Sequence, residues 1–441
     1  MQQQLFEGDE SAGGEAVDSK AQSKPKAARV IEADRYQTRL ETLCLDELVS
    51  EDHPVRDIWA YVCKLDLEAL YARIGSVETK AGRPATDPRI LLALWIYATS
   101  QGVGSARRLE QLCVEHAAYR WICGGVNTNY HTLSDFRNLG SEFLNQLLTQ
   151  SVGVLTHAKL VKLERISQDG VRVRASASTK SFRKLGKLEE HLEAARQQVE
   201  TLKQLIEEDP GAASKRERAA RARASRERLE RVDQALATVK KLREQKQNEK
   251  RKKHTPEQIE RTSASSTDPE ARIMMQPDGG WRPSYNVQFA ADCDAHIVTA
   301  VDVSTQGNDR GLMRPVFEQH CERHGGPPKQ WLCDGGYSSS ADIEFTATTP
   351  TKLYLPVRAK RATNDSGAMS AWRKRMSTES GKLTYKLRSQ TNECIHGCMR
   401  MRGLRQLPVR GLIKTRAIAL LHALTHNILR SFTLGLQLQR T

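Results

Sequence analysis

The sequence lacks the features of secreted and membrane proteins. Its longest apolar run, which includes residues 91–98, is far short of the ~20 residues that a membrane-spanning helix needs. Residues 1–34 contain Gly, Ser and Glu without an apolar centre, which excludes a signal peptide and predicts a disordered tail. We therefore expect a cytoplasmic protein that does not bind membranes.

Paired cysteines are also missing. None of the nine cysteines stands in a C-x-x-C pair, so neither a disulfide framework nor a zinc ribbon is predicted, and we expect reduced thiols. The tightest group is Cys394, His396 and Cys398, which lacks a fourth ligand at a plausible spacing. Zinc binding at this group is a minor alternative.

Acidic residues are fewer than basic ones. The chain has 68 Lys and Arg against 53 Asp and Glu, a formal net charge of +15. Such an excess favours a polyanionic partner, of which nucleic acid is the leading candidate. A length of 441 residues also predicts two or three folding units.

Helical periodicity dominates the first part of the chain, where apolar residues recur at steps of three and four. Asp87 and Pro88 suit the start of one helix, and another follows Ser105. We predict an all-α DNA-binding domain over residues 35–160. Four of its basic side chains suit phosphate contacts, although each alone is more simply explained by a solvated helix face: Arg83, Arg107, Arg108 and Arg137.

A mixed α/β domain is predicted over residues 161–434. Residues 163–173 are typical of a strand, a turn and a second strand, and residues 285–303 of a β-hairpin. A short strand at residues 331–333 ends just before Asp334. Helices are predicted at residues 310–324, from residue 383 and at residues 415–434, so helices alternate with late strands as in a mixed sheet.

An inserted antiparallel helical hairpin is predicted over residues 182–262. Heptad spacing of apolar residues runs from Leu185 to Ile206, stops at the breaker Asp209-Pro210-Gly211 and resumes at Leu229. The basic runs at residues 215–228 and 250–253 either follow DNA phosphates or form the solvated face of a coiled coil.

Three acids stand out by their context. Asp169 and Asp334 lie at strand-linked positions, and Glu393 lies on a helix that could cross the sheet near both. Hard divalent cations prefer oxygen ligands, and phosphodiester chemistry uses two such ions held by carboxylates. Any one of these acids alone would be explained by an ordinary surface charge.

Several motifs in this order resemble bacterial insertion-sequence transposases of the DDE class, over about residues 35–430. They are Asp169-Gly170 with the residues up to Ser178, Asp268 to Arg272, Tyr285 to Gln288, Asp334 to Tyr337, and Glu393 followed by Arg402-Gly403-Leu404 and Val409-Arg410-Gly411. The resemblance implies an RNase H-like catalytic fold interrupted by the hairpin. It also implies that the helical domain binds terminal inverted repeats.

The resemblance further implies that Asp169, Asp334 and Glu393 are catalytic ligands of two Mg²⁺ or Mn²⁺ ions. These would support cleavage at the element ends and transfer of the freed 3′ hydroxyl into target DNA. Tyr385, Arg388 and Arg400 are similar to the family's Tyr-Arg-Glu-Lys signature and are expected to contact DNA. The match is imperfect, because one extra residue precedes Glu393 and Arg400 replaces the usual Lys.

We expect a homodimer on DNA, in the bacterial nucleoid, because transposition joins two ends. A catalytically inactive, transposase-derived DNA-binding protein is the main alternative. A coiled-coil scaffold would explain the hairpin but not the motifs.

Overall fold

A computed structural model describes residues 36, 38, 42–75, 84–138, 140–208, 214–249, 253–357 and 366–436. Residues 1–43 and 44–441 form two separate units. The predicted tail over residues 1–34 and Arg83 lie outside the described residues. Within the described part, no helix is both long enough and apolar enough to cross a bilayer.

Helices fill the described chain between residues 54 and 157, as the periodicity predicts. They are α1 (Pro54–Cys63), α2 (Glu68–Tyr71), α3 (Pro88–Ser100), α4 (Ala106–Glu115), α5 (Ala117–Cys123), α6 (Tyr130–Arg137) and α7 (Ser141–His157). Both predicted starts are confirmed. Asp87 accepts a hydrogen bond from the backbone N–H of Arg89 at 2.8 Å, and Ser105 accepts one from that of Arg108.

A mixed six-stranded sheet follows, which confirms the predicted α/β class. Its strands are β1 (Arg165–Arg174), β4 (Arg272–Met275), β5 (Trp281–Asp292), β6 (Val298–Ser304), β7 (Gln330–Leu332) and β8 (Lys352–Tyr354); β2 (Phe182–Lys184) and β3 (Ser263–Ser265) form a separate ladder. The order is β4-β5-β1-β7-β8, and β6 also pairs with β5. β5 runs antiparallel to β1, whereas β7 and β8 run parallel to it.

The turn predicted within residues 163–173 is wrong, because β1 runs unbroken through Asp169 and Gly170. The strand pairs with β5 along its length, and Gly170 lies opposite Gln288. A Cβ on Gly170 would stand only 2.6 Å from the side-chain oxygens of Asn286 and Asp309. Glycine therefore makes room for neighbouring side chains here and does not reverse the chain.

The remaining helices cover and link the sheet. They are α11 (Met313–His324), α12 (Ser340–Ala347), α13 (Gly367–Ser377), α14 (Glu379–Met401) and α15 (Leu412–Thr433). Helix α15 is mostly buried, and its Leu424 shares an apolar core with Leu94 of α3, Leu148 of α7 and Val301 of β6. The helical region and the sheet thus pack together through α15.

The insertion has a core of its own. Between β2 and β3 lie α8 (Leu185–Glu208), α9 (Lys215–Asn248) and α10 (Pro256–Glu260). Six buried apolar residues form a separate cluster: Leu188, Leu192, Val232, Ala235, Val239 and Ala264. Farther along the two long helices, Arg228 donates to Gln198 at 2.8 Å. The breaker at residues 209–211 and basic residues 250–252 lie outside the described residues.

Candidate active site

The register of two parallel strands places Asp334 beside Asp169. The last β1–β7 pair joins Ser167 to Leu332, and two further residues along each chain are Asp169 and Asp334. The chain leaves the sheet after Leu332, and the Asp334 carboxylate accepts a hydrogen bond from the Gly336 N–H at 2.7 Å. This bond fixes the acid at the start of a short 3₁₀ turn, at the level of Asp169.

The Asp169 carboxylate is short of compensating positive charge. Its side chain is 20 % exposed, and burial, followed by the negative charge of Asp334, raises its pKa to about 6. The negative charge of Asp309 acts in the same direction, whereas the Gly170 N–H at 2.9 Å and Arg388 at 3.4 Å act against it. One long ion pair and one amide do not offset the burial.

One face of α14 contacts β1 through residues spaced four apart. Arg388 pairs with Asp169, Asn392 accepts a hydrogen bond from the Ser167 hydroxyl at 3.0 Å, and the His396 ring hydrogen-bonds to the Asp169 backbone. Burial, before the charges of nearby arginines, lowers the pKa of His396 to about 4. The ring is therefore neutral near pH 7. Its hydrogen bond is to the Asp169 backbone, so the structure assigns it to the β1 contact, whereas the minor alternative is zinc binding with Cys394 and Cys398.

Glu393 lies beside this face, but its carboxylate does not join the two aspartates. It is exposed and accepts a hydrogen bond from Ser389 of the same helix at 2.8 Å. Among the described residues, no three His, Cys, Asp or Glu side chains stand in position to share one cation. The structure thus brings Asp169 and Asp334 together and leaves Glu393 on the neighbouring helix surface.

A fourth acid, Asp309, belongs to this neighbourhood, and the sequence reading missed it. It lies in the loop between β6 and α11, where its Oδ1 accepts hydrogen bonds from Asn286 at 2.7 Å and Gln288 at 3.0 Å. Both amides belong to the Tyr285 to Gln288 motif. Two amides at alternate positions of a largely buried strand share one face and need a polar partner, which is the signal that could have indicated this acid.

Two predicted DNA contacts, Arg107 and Arg108, are exposed in the first turn of α4. The Arg107 guanidinium lies 5.2 Å from the centre of the Tyr130 ring. Arg108 forms an exposed ion pair with Glu115 at 3.1 Å, which contributes little to stability and leaves the guanidinium available.

Arg137 does not fit the phosphate contact predicted for it. Its side chain is buried, donates to the backbone oxygen of Gly104 and lies 4.8 Å from the centre of the Trp95 ring. Burial lowers its pKa to about 10. Because its guanidinium is enclosed by the protein, we correct this prediction and leave Arg137 out of the DNA-binding set.

The remaining signature residues lie along α14. The half-buried Tyr385 ring stands 5.5 Å from the Arg388 guanidinium, so both residues lie close to Asp169. Arg400 is exposed at the other end of the helix, and its Nε donates to the backbone of His396 at 3.2 Å.

The Asp268 to Arg272 motif anchors helix α15. The Asp268 carboxylate accepts hydrogen bonds from the Tyr285 hydroxyl at 2.7 Å and the Gly411 N–H at 3.2 Å, and Glu270 accepts one from the Leu412 N–H at 2.7 Å. Two acids thus bind free amides at a helix N-terminus, where negative charge is stabilising. This motif joins β5 to α15 and supports the fold.

Two family models match the chain. A transposase domain, DUF772, matches residues 43–139, and a transposase DDE domain matches residues 356–432, which include Glu393 and the signature residues of α14. No curated protein and no solved structure matches. The two domains occur in the order that the motifs predict, with the sheet that carries Asp169 and Asp334 between them. Both matches support an insertion-sequence transposase of the DDE class.

Proposed function

We propose that this transposase cleaves the ends of its own element with a carboxylate site built on Asp169, Asp334 and Glu393, and transfers the freed ends to target DNA. The observation that carries the proposal is the β1–β7 register, which puts two acids remote in sequence side by side. The strand order β6-β5-β1-β7-β8 supports the RNase H-like fold that the motifs imply. In this order, β6, β5 and β1 pair antiparallel, and β1, β7 and β8 pair parallel.

The two aspartates fit a hard divalent cation. Their donors are carboxylate oxygens, and burial, followed by the negative charge of Asp334, raises the pKa of Asp169, so a bound cation would stabilise its ionised form. Asp169 and Asp334 would hold the ions, and Glu393 would join once its carboxylate leaves Ser389. Two bound Mg²⁺ or Mn²⁺ ions would activate the attacking oxygen and stabilise the leaving one.

Protein side chains around the acids would position the DNA. Arg388 can exchange its long ion pair with Asp169 for a bidentate contact to a DNA phosphate. Neutral His396 holds the Asp169 backbone and carries no charge that would compete with a cation. Tyr385 and Arg400 lie on the same helix and would extend the contact along the strand.

The helical region would bind the terminal inverted repeats through exposed arginines, including Arg107 and Arg108. We place the protein on cytoplasmic, nucleoid DNA. Because two element ends must be joined, we propose a homodimer on DNA as the working assembly.

Metal-dependent cleavage of linear DNA that carries both inverted repeats tests the proposal. Asp169→Ala, Asp334→Ala and Glu393→Ala should each abolish cutting while a gel shift still reports end binding. Asp278→Ala, which removes an exposed acid from the β4–β5 turn, should cut normally. Wild-type cutting by any of the three variants would remove that residue from the site, and a wild-type chain that shifts DNA without cutting it would favour a binding protein.

A further inference from the structure

The Asp309 carboxylate lies between the two glycines that accompany the catalytic aspartates. A Cβ on Gly170, the residue after Asp169, would stand 2.6 Å from Asp309 Oδ1. A Cβ on Gly336 would stand 3.4 Å from Asp309 Oδ2 and 2.9 Å from Asp334 Oδ1. Because Asp309 Oδ2 and Asp334 Oδ1 both lie within 3.4 Å of this Gly336 Cβ position, the carboxylates of Asp309 and Asp334 are near neighbours.

The two oxygens of Asp309 have different surroundings. Oδ1 accepts both amide hydrogen bonds, from Asn286 and Gln288, which fix the side chain in an inward position. Among the residues that the structure describes, the partner of Oδ2 is Arg172, in an ion pair of 3.8 Å, and the Arg172 guanidinium also donates to the Gly307 backbone at 3.0 Å. The side chain is 13 % exposed. Asp309 is thus a fixed negative charge that is weakly neutralised.

We propose that Asp309 is a positioning residue of the catalytic site, whose fixed negative charge strengthens the binding of divalent cations by Asp169 and Asp334. This inference rests on the proposed function. Its basis is the placement of the carboxylate between Gly170 and Gly336, held by two strand amides.

Asp309→Asn separates charge from packing. The asparagine has nearly the same volume, and its one carbonyl oxygen can still accept from Asn286 and Gln288, so only the charge at the Oδ2 position is lost. Asp278→Asn is the matched control, because it removes an acid that also pairs with an arginine but lies in the β4–β5 turn. Asp169→Asn reports whether the proposed site binds the cation at all.

The readout is the affinity of the full chain for Mn²⁺, measured by electron paramagnetic resonance in the absence of DNA. We expect Asp309→Asn to bind at least about tenfold more weakly than wild type, Asp278→Asn to bind normally, and circular dichroism of all variants to be unchanged. If Asp169→Asn weakens binding and Asp309→Asn does not, the role of Asp309 is refuted while the site stands. If the wild type binds no Mn²⁺, or Asp169→Asn binds as well as wild type, both proposals fail. Should Asp309→Asn misfold, Asp309→Glu, which keeps the charge, must retain wild-type affinity.

Discussion

Replacing Asp169 by Asn should stabilise the metal-free protein above pH 7. The carboxylate is four-fifths buried beside Asp334, and these surroundings raise its pKa from 3.8 to about 6. Between these two values the folded protein binds more protons than the unfolded chain does, so stability falls as the pH rises. Asparagine keeps the shape of the protonated acid and removes the charge that the fold disfavours.

The size of the effect follows from the shift. A rise in pKa from 3.8 to about 6 corresponds to roughly 3 kcal/mol of destabilisation once the acid is fully ionised in the folded state. For a chain of this length, that is about 3–6 °C in melting temperature. The destabilisation is small near pH 4 and disappears only well below the unfolded-state pKa of 3.8, where the acid is protonated in both states.

Thermal unfolding of wild type and Asp169→Asn, at pH 8 and at pH 4 with a chelator present, measures this effect. The variant should melt higher at pH 8, and the difference should shrink to a small fraction of that value at pH 4. Addition of Mn²⁺ at pH 8 should raise the melting temperature of the wild type more than that of the variant. Equal melting at pH 8, or a difference that does not depend on pH, would refute the assignment of an unfavourable buried charge at Asp169.

Three further predictions concern other parts of the molecule. Arg107→Ala and Arg108→Ala should weaken end binding and flatten its salt dependence by about one unit of slope per lost phosphate contact, and an unchanged slope would mean that these arginines only face solvent. Gly170→Ala should cost about 1–3 kcal/mol of stability and most of the cleavage activity, because its Cβ would meet Asn286 and Asp309. In α7, no described atom outside the helix backbone lies within 4 Å of a Cβ built on Gly153, so Gly153→Ala should instead stabilise the protein by about 0.5–1 kcal/mol in urea unfolding. Similar effects of the two changes would contradict the packing described at Gly170. Deletion of residues 182–265 should leave the sheet folded, as judged by circular dichroism, but the shortened protein should pair DNA ends poorly. A short Gly/Ser linker can replace the segment, because the Ser266 N–H already donates to the Ser181 oxygen at 3.0 Å. Either unfolding of the deletion protein or undiminished end pairing would contradict this prediction.

Local signals in the sequence were sufficient for the helix starts and the β5–β6 hairpin. Asp87 and Ser105 cap the helices that follow them because their side chains satisfy backbone N–H groups within three residues. Such interactions need no knowledge of distant chain segments. Local signals also gave the wrong turn within residues 163–173, because Asp169-Gly170 is a strong turn signal. Long-range pairing with β5 instead keeps β1 extended through these residues.

Features that depend on distant contacts could not be predicted. A basic residue on a helix face has the same local pattern whether it faces solvent or, like Arg137, packs on Trp95. Asp309 stands in a polar loop with nothing nearby in sequence to distinguish it, and it becomes notable only through Asn286 and Gln288. The three predicted acids came from motif resemblance, whereas the pairing of Asp169 with Asp334 came from the register of β7.

The unbroken course of β1 explains why the dipeptide Asp169-Gly170 matters as a unit. Successive residues of a strand face opposite sides of the sheet, so Asp169 faces Arg388 of α14 while Gly170 faces Gln288 and the Asp309 carboxylate. A slip of one residue would exchange these two faces, placing a carboxylate against Asp309 and removing one from the side of α14. The long β1–β5 pairing prevents that slip. Hence the position of Asp169, the proposed catalytic acid, and the packing of Gly170 against Asp309 depend on the same register, and disrupting either is expected to impair the other.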